Sequence, residues 1–297
     1  MNLNRRKLPL LCLFFSLLSG AEIKAGKMAI IQGKEGRVTH FSEGVTIRDG
    51  KTVISAQTGF YHPHQNLFLL LDSVTIKSEE GELRGESIFY SLNTKMAEVK
   101  KNVRLDFPSL KILTEHLYWD GEKREAKSGE VFLILKEKEV EIKGYDAVYH
   151  SPSKKGSSKR PILFLKGKET TEVVAQELIY DGEREKVIFT PDVAVRQKNS
   201  TFFTDTLIYF VTGDSGIALG HSHLIGENEE VRGKEFRFFV EGGALKLVKA
   251  FGEVSLVYET KGERVEIGGE TFSAQIANGE ISEMTIENIA YGRVVMK

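Results

Sequence analysis

The chain has few cysteines and few prolines, and most of it has no long apolar run. Cys12 is the one cysteine among 297 residues, so neither a disulfide within the chain nor a CxxC motif can form. Only six residues are proline, whereas Val, Ile, Thr, Phe and Tyr are abundant, which is a strand-forming composition. The net charge is −1, and no basic or acidic tail is present. Nucleic acid is therefore not expected as a partner, because phosphate binding needs a concentrated basic surface.

The sequence also contains no arrangement of residues typical of catalysis. Gly213-Asp214-Ser215-Gly216 is similar to the segment around the nucleophile of trypsin-like serine proteases, but no separate His segment of that family accompanies it. It occupies the same position in its repeat as Asp181-Gly182, which predicts a turn. The pairs His62/His64 and His221/His223 have a spacing that metal binding could use, but they have no further partner at a telling distance, which favours surface histidines. We predict no enzyme, no metal and no cofactor.

The first 21 residues differ from the rest. Arg5, Arg6 and Lys7 form a basic region, Leu8 to Leu18 an apolar one, and Ser19-Gly20-Ala21 offers small residues for cleavage. This order predicts a cleaved signal peptide over residues 1–21, and therefore export. The apolar stretch is shorter than the roughly 20 residues that a spanning helix needs, and an uncleaved membrane anchor is the alternative.

An eight-residue pattern recurs through the remaining chain, residues 22–297. Its form is apolar, any, small, any, any, usually apolar, any, aromatic. Subtracting successive small positions gives steps of 29, 29, 30, 31, 29, 29 and 36; these positions are Ala56, Gly85, Thr114, Gly144, Ala175, Thr204, Gly233 and Gly269. A fixed period of this size predicts a repeat architecture, about eight repeats of about 29 residues, in which each unit buries its apolar face against its neighbours. The longer last step, with Ala274 in the aromatic position, predicts that the last repeat is a cap or a docking edge.

Alternation of apolar and polar residues predicts about three short strands per repeat, so the fold class is all-β. A sheet with one apolar face must curl over or pair with a second sheet, which favours a sandwich or jelly roll over the competing parallel β-helix. The polar stretch Ser151 to Pro161 predicts a long basic loop between repeats. Two consecutive domains, about 27–150 and 163–297, are an alternative to one continuous array.

The repeat resembles the OstA-like repeat of the LptA family. The residues that carry the resemblance are Glu43-Gly44-Val45-Thr46-Ile47 with Val53-Ile54-Ser55-Ala56 and Tyr61, and Lys101-Asn102-Val103-Arg104-Leu105 with Thr114-Glu115-His116-Leu117. The resemblance covers roughly residues 27 to 297. It implies an elongated, slightly twisted β-jelly roll, open along one side, whose interior receives lipid acyl chains. It also implies a periplasmic bridge protein that shields the acyl chains of lipopolysaccharide (those of lipid A) between the inner and outer membranes.

The same resemblance implies partners. They are other jelly-roll transport proteins, LptC-like at the inner membrane and LptD-like at the outer membrane, joined by end-to-end strand addition, and a homo-oligomer is left open. The exposed backbone groups of end strands independently favour such addition. Alternative functions are a membrane-anchored LptC-like component, a structural or adhesin-like array without lipid, and a carbohydrate-active enzyme on a β-solenoid, which the lack of clustered carboxylates disfavours.

The candidate lipid-binding residues are apolar residues at fixed places in the repeats. For each of them, a closed-core residue that never meets lipid is the competing interpretation, because register decides which face lies inside. The aromatic positions are predicted to be packing anchors. The candidates are Val45, Ile47, Ile54, Val74, Ile76, Leu83, Val103, Leu105, Ile112, Ile142, Val173, Val193, Val195, Phe202, Val231, Val254 and Leu256.

Overall fold

The computed structural model describes residues 22–33, 36–49, 51–79, 81–106, 110–135, 140–150, 152–165, 170–241, 244–277 and 280–296. Every element in these ranges is a β-strand, and all pairings whose register is defined are antiparallel, which confirms the all-β class. Within the same ranges there is no helix long and apolar enough to span a membrane. The proposed signal peptide lies outside the described residues.

The chain divides into two compact units, of which the first takes its residues from 1–137 and 143–157. In this unit β5 to β9 follow one another as an antiparallel meander, while β2 pairs with β1 on one side and with β3 and β4 on the other. Its strands are β1 (Glu22–Gly33), β2 (Gly36–Asp49), β3 (Thr52–Ala56), β4 (Thr58–His62), β5 (Leu67–Lys77), β6 (Glu82–Ser91), β7 (Met96–Asp106), β8 (Leu110–Asp120) and β9 (Glu125–Leu135).

The second unit takes its residues from 138–142 and 158–297. The strands β10 (Val140–His150) and β11 (Lys155–Leu165) have residues in both units. The remaining strands belong to the second unit alone. They are β12 (Thr171–Val174), β13 (Glu177–Asp181), β14 (Lys186–Thr190), β15 (Val193–Gln197), β16 (Ser200–Thr204), β17 (Thr206–Phe210), β18 (Ser215–Ile225), β19 (Glu229–Glu241), β20 (Ala244–Glu259), β21 (Glu263–Ala277), β22 (Glu280–Glu287) and β23 (Tyr291–Met296).

Long strands in both units bend near their middle, and the small position of the repeat lies at the bend. Val74 of β5 lies opposite Gly85, but Leu71 lies opposite Ser87, so the register shifts between them. In other strands the bend is a complete break, as between β3 and β4, just after Ala56. A side chain at Gly85 would have no room, because a Cβ there would lie 2.6 Å from Cγ1 of Val99. The small residue is therefore required on the inner side of the bend.

On the partner strand, the bend is formed by residues whose backbone has a positive φ, in the left-handed region. In the first unit these are Glu43 with Gly44, Asp72 with Ser73, and Lys101 with Asn102, all with φ between 50° and 88°. Residues in this conformation at a β-bulge bend the strand and increase its twist. Asn, Asp and Gly tolerate the conformation best, which accounts for their presence at these places.

Each bend divides a strand into two halves, which we call limbs. In β6 the aromatic limb is Ser87–Ser91, named for its aromatic position Tyr90, and the aliphatic limb is Glu82–Gly85. Alternate side chains of both limbs point to the same interior, and in the first unit they form one buried cluster that includes Leu83, Ile88 and Tyr90. The core therefore lies between the two limbs.

Two details differ from the sequence predictions. Where three short strands per repeat were predicted, residues 67–91 form two strands of 11 and 10 residues, because one strand continues through the bend. The predicted loop Ser151–Pro161 is wrong over most of its length, since residues 155–161 belong to β11 and Ser158 is buried. The number of repeats stays a prediction.

Candidate functional site

All the candidate residues except Ile142, whose cross-strand partners are not assigned, lie on the interior side of the aliphatic limbs, in two adjacent rows. The first row is at the bend, where each valine lies directly opposite a small residue. Three cross-strand pairs illustrate it: Val45 with Ala56, Val74 with Gly85, and Val103 with Thr114. Val193 and Val254 occupy the same row in the second unit, opposite Thr204 and Gly269.

The second row runs one step further from the bend and is continuous from strand to strand. In the first unit each residue is the direct cross-strand partner of the next, in the order Ile47, Ile54, Ile76, Leu83, Leu105, Ile112. In the second unit the order is Val173, Val195, Phe202, Leu224, Val231, Leu256. We call this row the aliphatic ladder. It gives each unit an unbroken apolar line across its strands.

Burial agrees with an interior position for all the candidates. Val74 and Leu83 have no exposed surface, and most of the other candidates are also buried. Four of them are half-buried, namely Ile54, Ile112, Val195 and Phe202. Ile142 is buried on β10. These positions fit both lipid contact and a closed core, so the assignment of lipid contact stays a prediction.

Sequence reasoning missed residues that continue the aliphatic ladder. Leu163 lies opposite Val173, Leu133 opposite Ile112, and Ile267 opposite Leu256. Knowledge of the strand pairing would have identified them, because an apolar residue directly opposite a candidate on the neighbouring strand lies in the same row.

The aromatic limbs form the second wall of the interior, which the candidate list did not include. In the second unit the ring of Phe202 on the aliphatic limb lies 5.1 Å from the ring of Phe236 on the aromatic limb, so the two walls touch. Phe236 belongs to a buried cross-strand row that alternates large and small side chains, with Ala218 and Ala250 as its neighbours. The sixth, usually apolar, position of the repeat was the signal for this wall.

The residues at the aromatic positions lie in the part of this wall that is farther from the bend, where they pack over small residues of the neighbouring strands. Trp119 is 2% exposed and lies between Ala97 and Ala126 across the strands. A Cβ on Gly216 would lie 2.0 Å from Cζ of Phe238, so that ring rests directly on the glycine. The aromatic side chains are thus packed within the wall, as expected for packing anchors.

Three tyrosine hydroxyls on the aromatic limbs have raised pKa values because they are partly buried. Burial raises the pKa of the Tyr90 and Tyr180 hydroxyls above the usual value. The pKa of Tyr209 is also raised, first by burial and then by Asp214, whose carboxylate accepts a hydrogen bond of 2.9 Å from the tyrosine hydroxyl. The three tyrosine hydroxyls are therefore partly withdrawn from water.

The interior becomes exposed at the first and last strands. On β1, Met28 and Ile30 lie opposite Phe41 and Thr39 and are 63% and 61% exposed. On β22 and β23, Met284 and Val294 lie opposite Ala274 and Val265 and are 41% and 57% exposed. Alternation of side chains puts these residues on the interior face, where no further strand among the described residues covers them.

The polar residues lie mainly on the outer faces. The salt bridge Lys51–Glu79 joins exposed side chains of two turns, and Lys234–Glu253 joins exposed side chains of the neighbouring strands β19 and β20. His221 is an exposed residue whose Nδ1 lies 3.0 Å from Asp205, as an ordinary surface pair. Among the described residues there is no group of three or more His, Cys, Asp or Glu side chains placed to hold a metal ion. Gly213 and Asp214 lie in the predicted turn between β17 and β18.

Comparison with known proteins confirms the family resemblance for the first part of the chain. Residues 24–157 match the family model of OstA-like proteins. A solved structure that is similar to the chain is that of LptH from Pseudomonas aeruginosa, the LptA-homologous periplasmic component of a lipopolysaccharide transport device. It is 11% identical, over 54% of this chain and 76% of its own, with a TM-score of 0.14, which is too low to show a shared overall arrangement. None of the curated proteins matches the chain.

Proposed function

We propose that this chain, whose residues 24–157 match OstA-like proteins, binds the acyl chains of lipopolysaccharide and shields them from water during transport across the periplasm. The observation that carries the proposal is the aliphatic ladder, an unbroken apolar row from Ile47 to Ile112 in one unit and from Val173 to Leu256 in the other. Exposing an acyl chain of a dozen carbons costs about 10 kcal/mol, at about 0.8 kcal/mol per methylene. Because no polar residue interrupts the row, every strand contributes an apolar side chain whose contact with the acyl chain offsets that cost.

The interior acts as a binding path and not as a catalytic site. A lipid in transit must bind weakly at many equivalent places, and a row of similar side chains meets this requirement better than one deep pocket. The hydroxyl groups that do reach the bend, such as Thr204 and Ser222, bond to each other at 2.9 Å. No cofactor is part of the proposal.

The end strands are the proposed docking edges for partners. β1 and β23 carry exposed interior residues next to the edge of their sheets, where a strand from another protein would both complete the hydrogen bonding and extend the apolar path. The partners proposed are LptC-like at the inner membrane and LptD-like at the outer membrane, or a further copy of the chain. The segment 1–21 would export the protein to the periplasm, or anchor it to the inner membrane in the LptC-like alternative.

A photocrosslinking experiment tests the proposal. A small diazirine amino acid is placed in cells at Val74, Val103 or Val193, whose side chains face the interior. Matched controls carry it one residue later on the same strands, at Thr75 and Arg104, where the side chain faces outward. We expect lipopolysaccharide adducts at the interior positions only, and we expect them to disappear when ATP is depleted.

A structural array with a dry core is the second candidate, because protein atoms alone leave Val74 and Leu83 with no exposed surface. That candidate predicts no adducts at all three interior positions in protein that is folded and exported. Equal adducts at interior and outward positions would also contradict the proposed path, since they would indicate nonspecific contact with lipid.

A further inference from the structure

The turns at the ends of the aromatic limbs form one rim of the interior, and in the first unit this rim carries cations. The bend joins the two walls, so the ends of the limbs farthest from the bend are the two rims. We call the turns 92–95, 121–124 and 152–154 the aromatic rim of the first unit. Each of these turns has a net charge of +1. The charged residues are Lys95 in the first turn, Glu122, Lys123 and Arg124 in the second, and Lys154 in the third.

One of these cations occupies the same position in every turn. Lys95, Arg124 and Lys154 have φ values of 54°, 55° and 50°. Asn66 takes this position in the preceding turn, with a φ of 50°, and asparagine is enriched in the left-handed region. The backbone conformation therefore does not account for a long cationic side chain in three successive turns, and a residue held in this region suggests a functional role.

The three cations form a row along the rim. The backbone N–H of Gly121 donates to the carbonyl of Lys95 at 3.1 Å, which joins the first two turns, and the pairing of β9 with β10 places the third turn next to the second. Equivalent positions in neighbouring turns are two strands apart, which is about 10 Å at about 4.8 Å per strand. Lys95 and Lys154 form no ion pair with any residue of the described ranges, so their charge is available to a ligand.

A layer of aromatic side chains lies between the apolar interior and these cations. Along β6 the buried Ile88 is followed by Tyr90 and then by the turn, and Trp119 lies in the same cross-strand row as Tyr90. The hydroxyl of Tyr61 donates a hydrogen bond of 3.3 Å to Oδ1 of Asn66, so the polar end of this layer faces the turns. Tyrosine and tryptophan favour boundaries between an apolar and a wet region. The order of apolar, aromatic and cationic residues therefore matches an amphiphile with an anionic head.

The corresponding turns of the second unit have the opposite charge. The turns 182–185 and 211–214 each have a net charge of −1, and Glu185 and Asp214 occupy the left-handed position. At the opposite rim of the first unit, the turn residue Lys51 is already paired with Glu79 at 2.7 Å. A cation in each of three successive turns therefore distinguishes the aromatic rim of the first unit.

We propose that the aromatic rim of the first unit holds the phosphate groups of a lipid whose acyl chains lie in the interior. This inference rests on the proposed function and adds an orientation to it, with the head at the aromatic rim and not at the opposite one. Lysine and arginine side chains bind phosphate oxygens through charge-assisted hydrogen bonds. Because the turns of the second unit carry carboxylates, that unit binds acyl chains without holding the phosphates.

Two lipids that differ only in their phosphates test the proposal. The full chain is titrated with lipid A and with lipid A from which a phosphatase has removed the phosphates, both dispersed in the same nonionic detergent. We expect the phosphorylated form to bind about tenfold more tightly. This preference should decrease as salt is added, because salt screens exposed charges. The variant Lys95→Gln/Arg124→Gln/Lys154→Gln should bind both forms equally, with its affinity for the dephosphorylated form unchanged.

The matched control removes the same charge near the opposite rim of the first unit. Arg48→Gln/Lys51→Gln/Lys111→Gln changes residues at the outer ends of aliphatic limbs or in the turn between them, and it should keep the tenfold preference. Circular dichroism and the fluorescence of Trp119 establish that both triple variants are folded. An equal loss of preference in the two variants would overturn the proposal, since binding would then respond to net charge and not to one rim.

The same titrations separate this proposal from the proposed function. If the unmodified protein binds neither lipid, the proposed function itself fails. If it binds both lipids equally tightly, the proposed function stands and the orientation is wrong. Inorganic phosphate is the third probe, and we expect it to bind far more weakly than lipid A because it has no acyl chains. Tight binding of inorganic phosphate that is lost in the Lys95, Arg124 and Lys154 variant would contradict the proposal and assign the rim to a free anion.

Discussion

At the scale of single residues, the bends depend on a missing or small side chain on the inner side of the strand. Gly85 lies against Val99, and Gly269 would place a Cβ 2.7 Å from Cγ2 of Ile286. Thr114 and Thr204 take the same place in other strands, and their hydroxyls bond to Ser128 and Ser222. A small side chain here lets the partner valine or serine reach the middle of the bend. The size of the residue at this position therefore sets how closely the strands approach.

Replacing Gly85 with valine should destabilise the protein. The new Cβ would lie 2.6 Å from Cγ1 of Val99 in a fully packed interior, and overpacking of this kind costs about 1–3 kcal/mol. Gly129→Val is the matched control, because no atom lies within 4 Å of its Cβ position on an exposed part of β9. Urea denaturation should show a lower free energy of unfolding for the first variant alone. Equal stability of both would show that the bend can widen freely.

The hydroxyl pair of Thr204 and Ser222 should behave as a coupled unit. The two oxygens are 2.9 Å apart, and the residues are 3% and 2% exposed, so neither group has water as an alternative partner. Thr204→Val keeps the volume but leaves Ser222 unpaired, at a cost of about 1–3 kcal/mol. The double variant with Ser222→Ala should cost less than the sum of the single variants. Additive effects in a double-mutant cycle would mean that the pair contributes no coupling.

At the scale of elements, the turns at the aromatic ends of the strands are held by side chains. Oδ1 of Asp120 accepts backbone N–H groups of Lys123 at 3.0 Å and Glu122 at 3.1 Å. Asp181 makes the same two contacts two repeats later, with Glu183 and Arg184. Carboxylates at this place satisfy amide groups that the hairpin leaves without a strand partner.

The Asp120 turn predicts a dependence of stability on pH. The backbone N–H of Lys123, with further help from its side chain, holds the pKa of Asp120 below its ordinary value of 3.8. A lowered pKa in the folded state means that this stabilisation is present above that value and is lost as the pH falls through the folded pKa. Asp120→Asn should therefore lower the free energy of unfolding by about 1–2 kcal/mol at pH 7.

The difference between Asp120→Asn and the unmodified protein should shrink as the pH is lowered below 3.8, because the carboxyl then binds a proton in the unfolded state more readily than in the folded state, where its pKa is lower. Urea titrations at pH 7 and pH 3 measure it. Glu79→Gln serves as the control, since the exposed pair of Glu79 with Lys51 is expected to contribute little at either pH. A difference that stays constant down to pH 3 would rule out the carboxylate as its source.

The strands also show how much of the fold could be predicted from the sequence. Alternation and the fixed period placed the strands and the interior rows, because both are local patterns. The continuation of strands through the bends was missed, since left-handed residues such as Lys101 and Asn102 look like a turn in sequence but here form a bulge within a paired strand.

The other features that the sequence did not predict depend on the pairing of strands, which is not a local property of the sequence. Lys155 to Pro161 have the composition of a loop, but in β11 they are in a strand, and Ser158 is buried. A row of four paired isoleucines was likewise invisible, because Ile179, Ile188, Ile208 and Ile217 are far apart in the chain and meet only through the register of four strands. The candidate residues could be found from periodicity alone, and the sixth position of the repeat also marked the opposite wall, but only the bend shows that the two walls face each other.

At the scale of the whole molecule, contacts between strands are mainly to the next strands along the chain, and each unit has its own interior. In arrays of this kind stability is approximately a sum of local terms and nearest-neighbour terms. Damage in one unit should therefore affect that unit first. Trp119 is the only tryptophan in the chain and is buried in the first unit, so its fluorescence reports on that unit alone.

Phe236→Ala should separate the unfolding of the two units. Phe236 is 2% exposed in the second unit, and its removal should cost about 3–5 kcal/mol there. We expect circular dichroism, which reports all strands, to show an early transition in urea, while the fluorescence of Trp119 changes at nearly the same urea concentration as in the unmodified protein. Leu117→Ala, beside Trp119 in the first unit, should instead move the fluorescence transition. If Phe236→Ala shifts both signals equally, the array unfolds as one cooperative body, and local terms do not govern its stability.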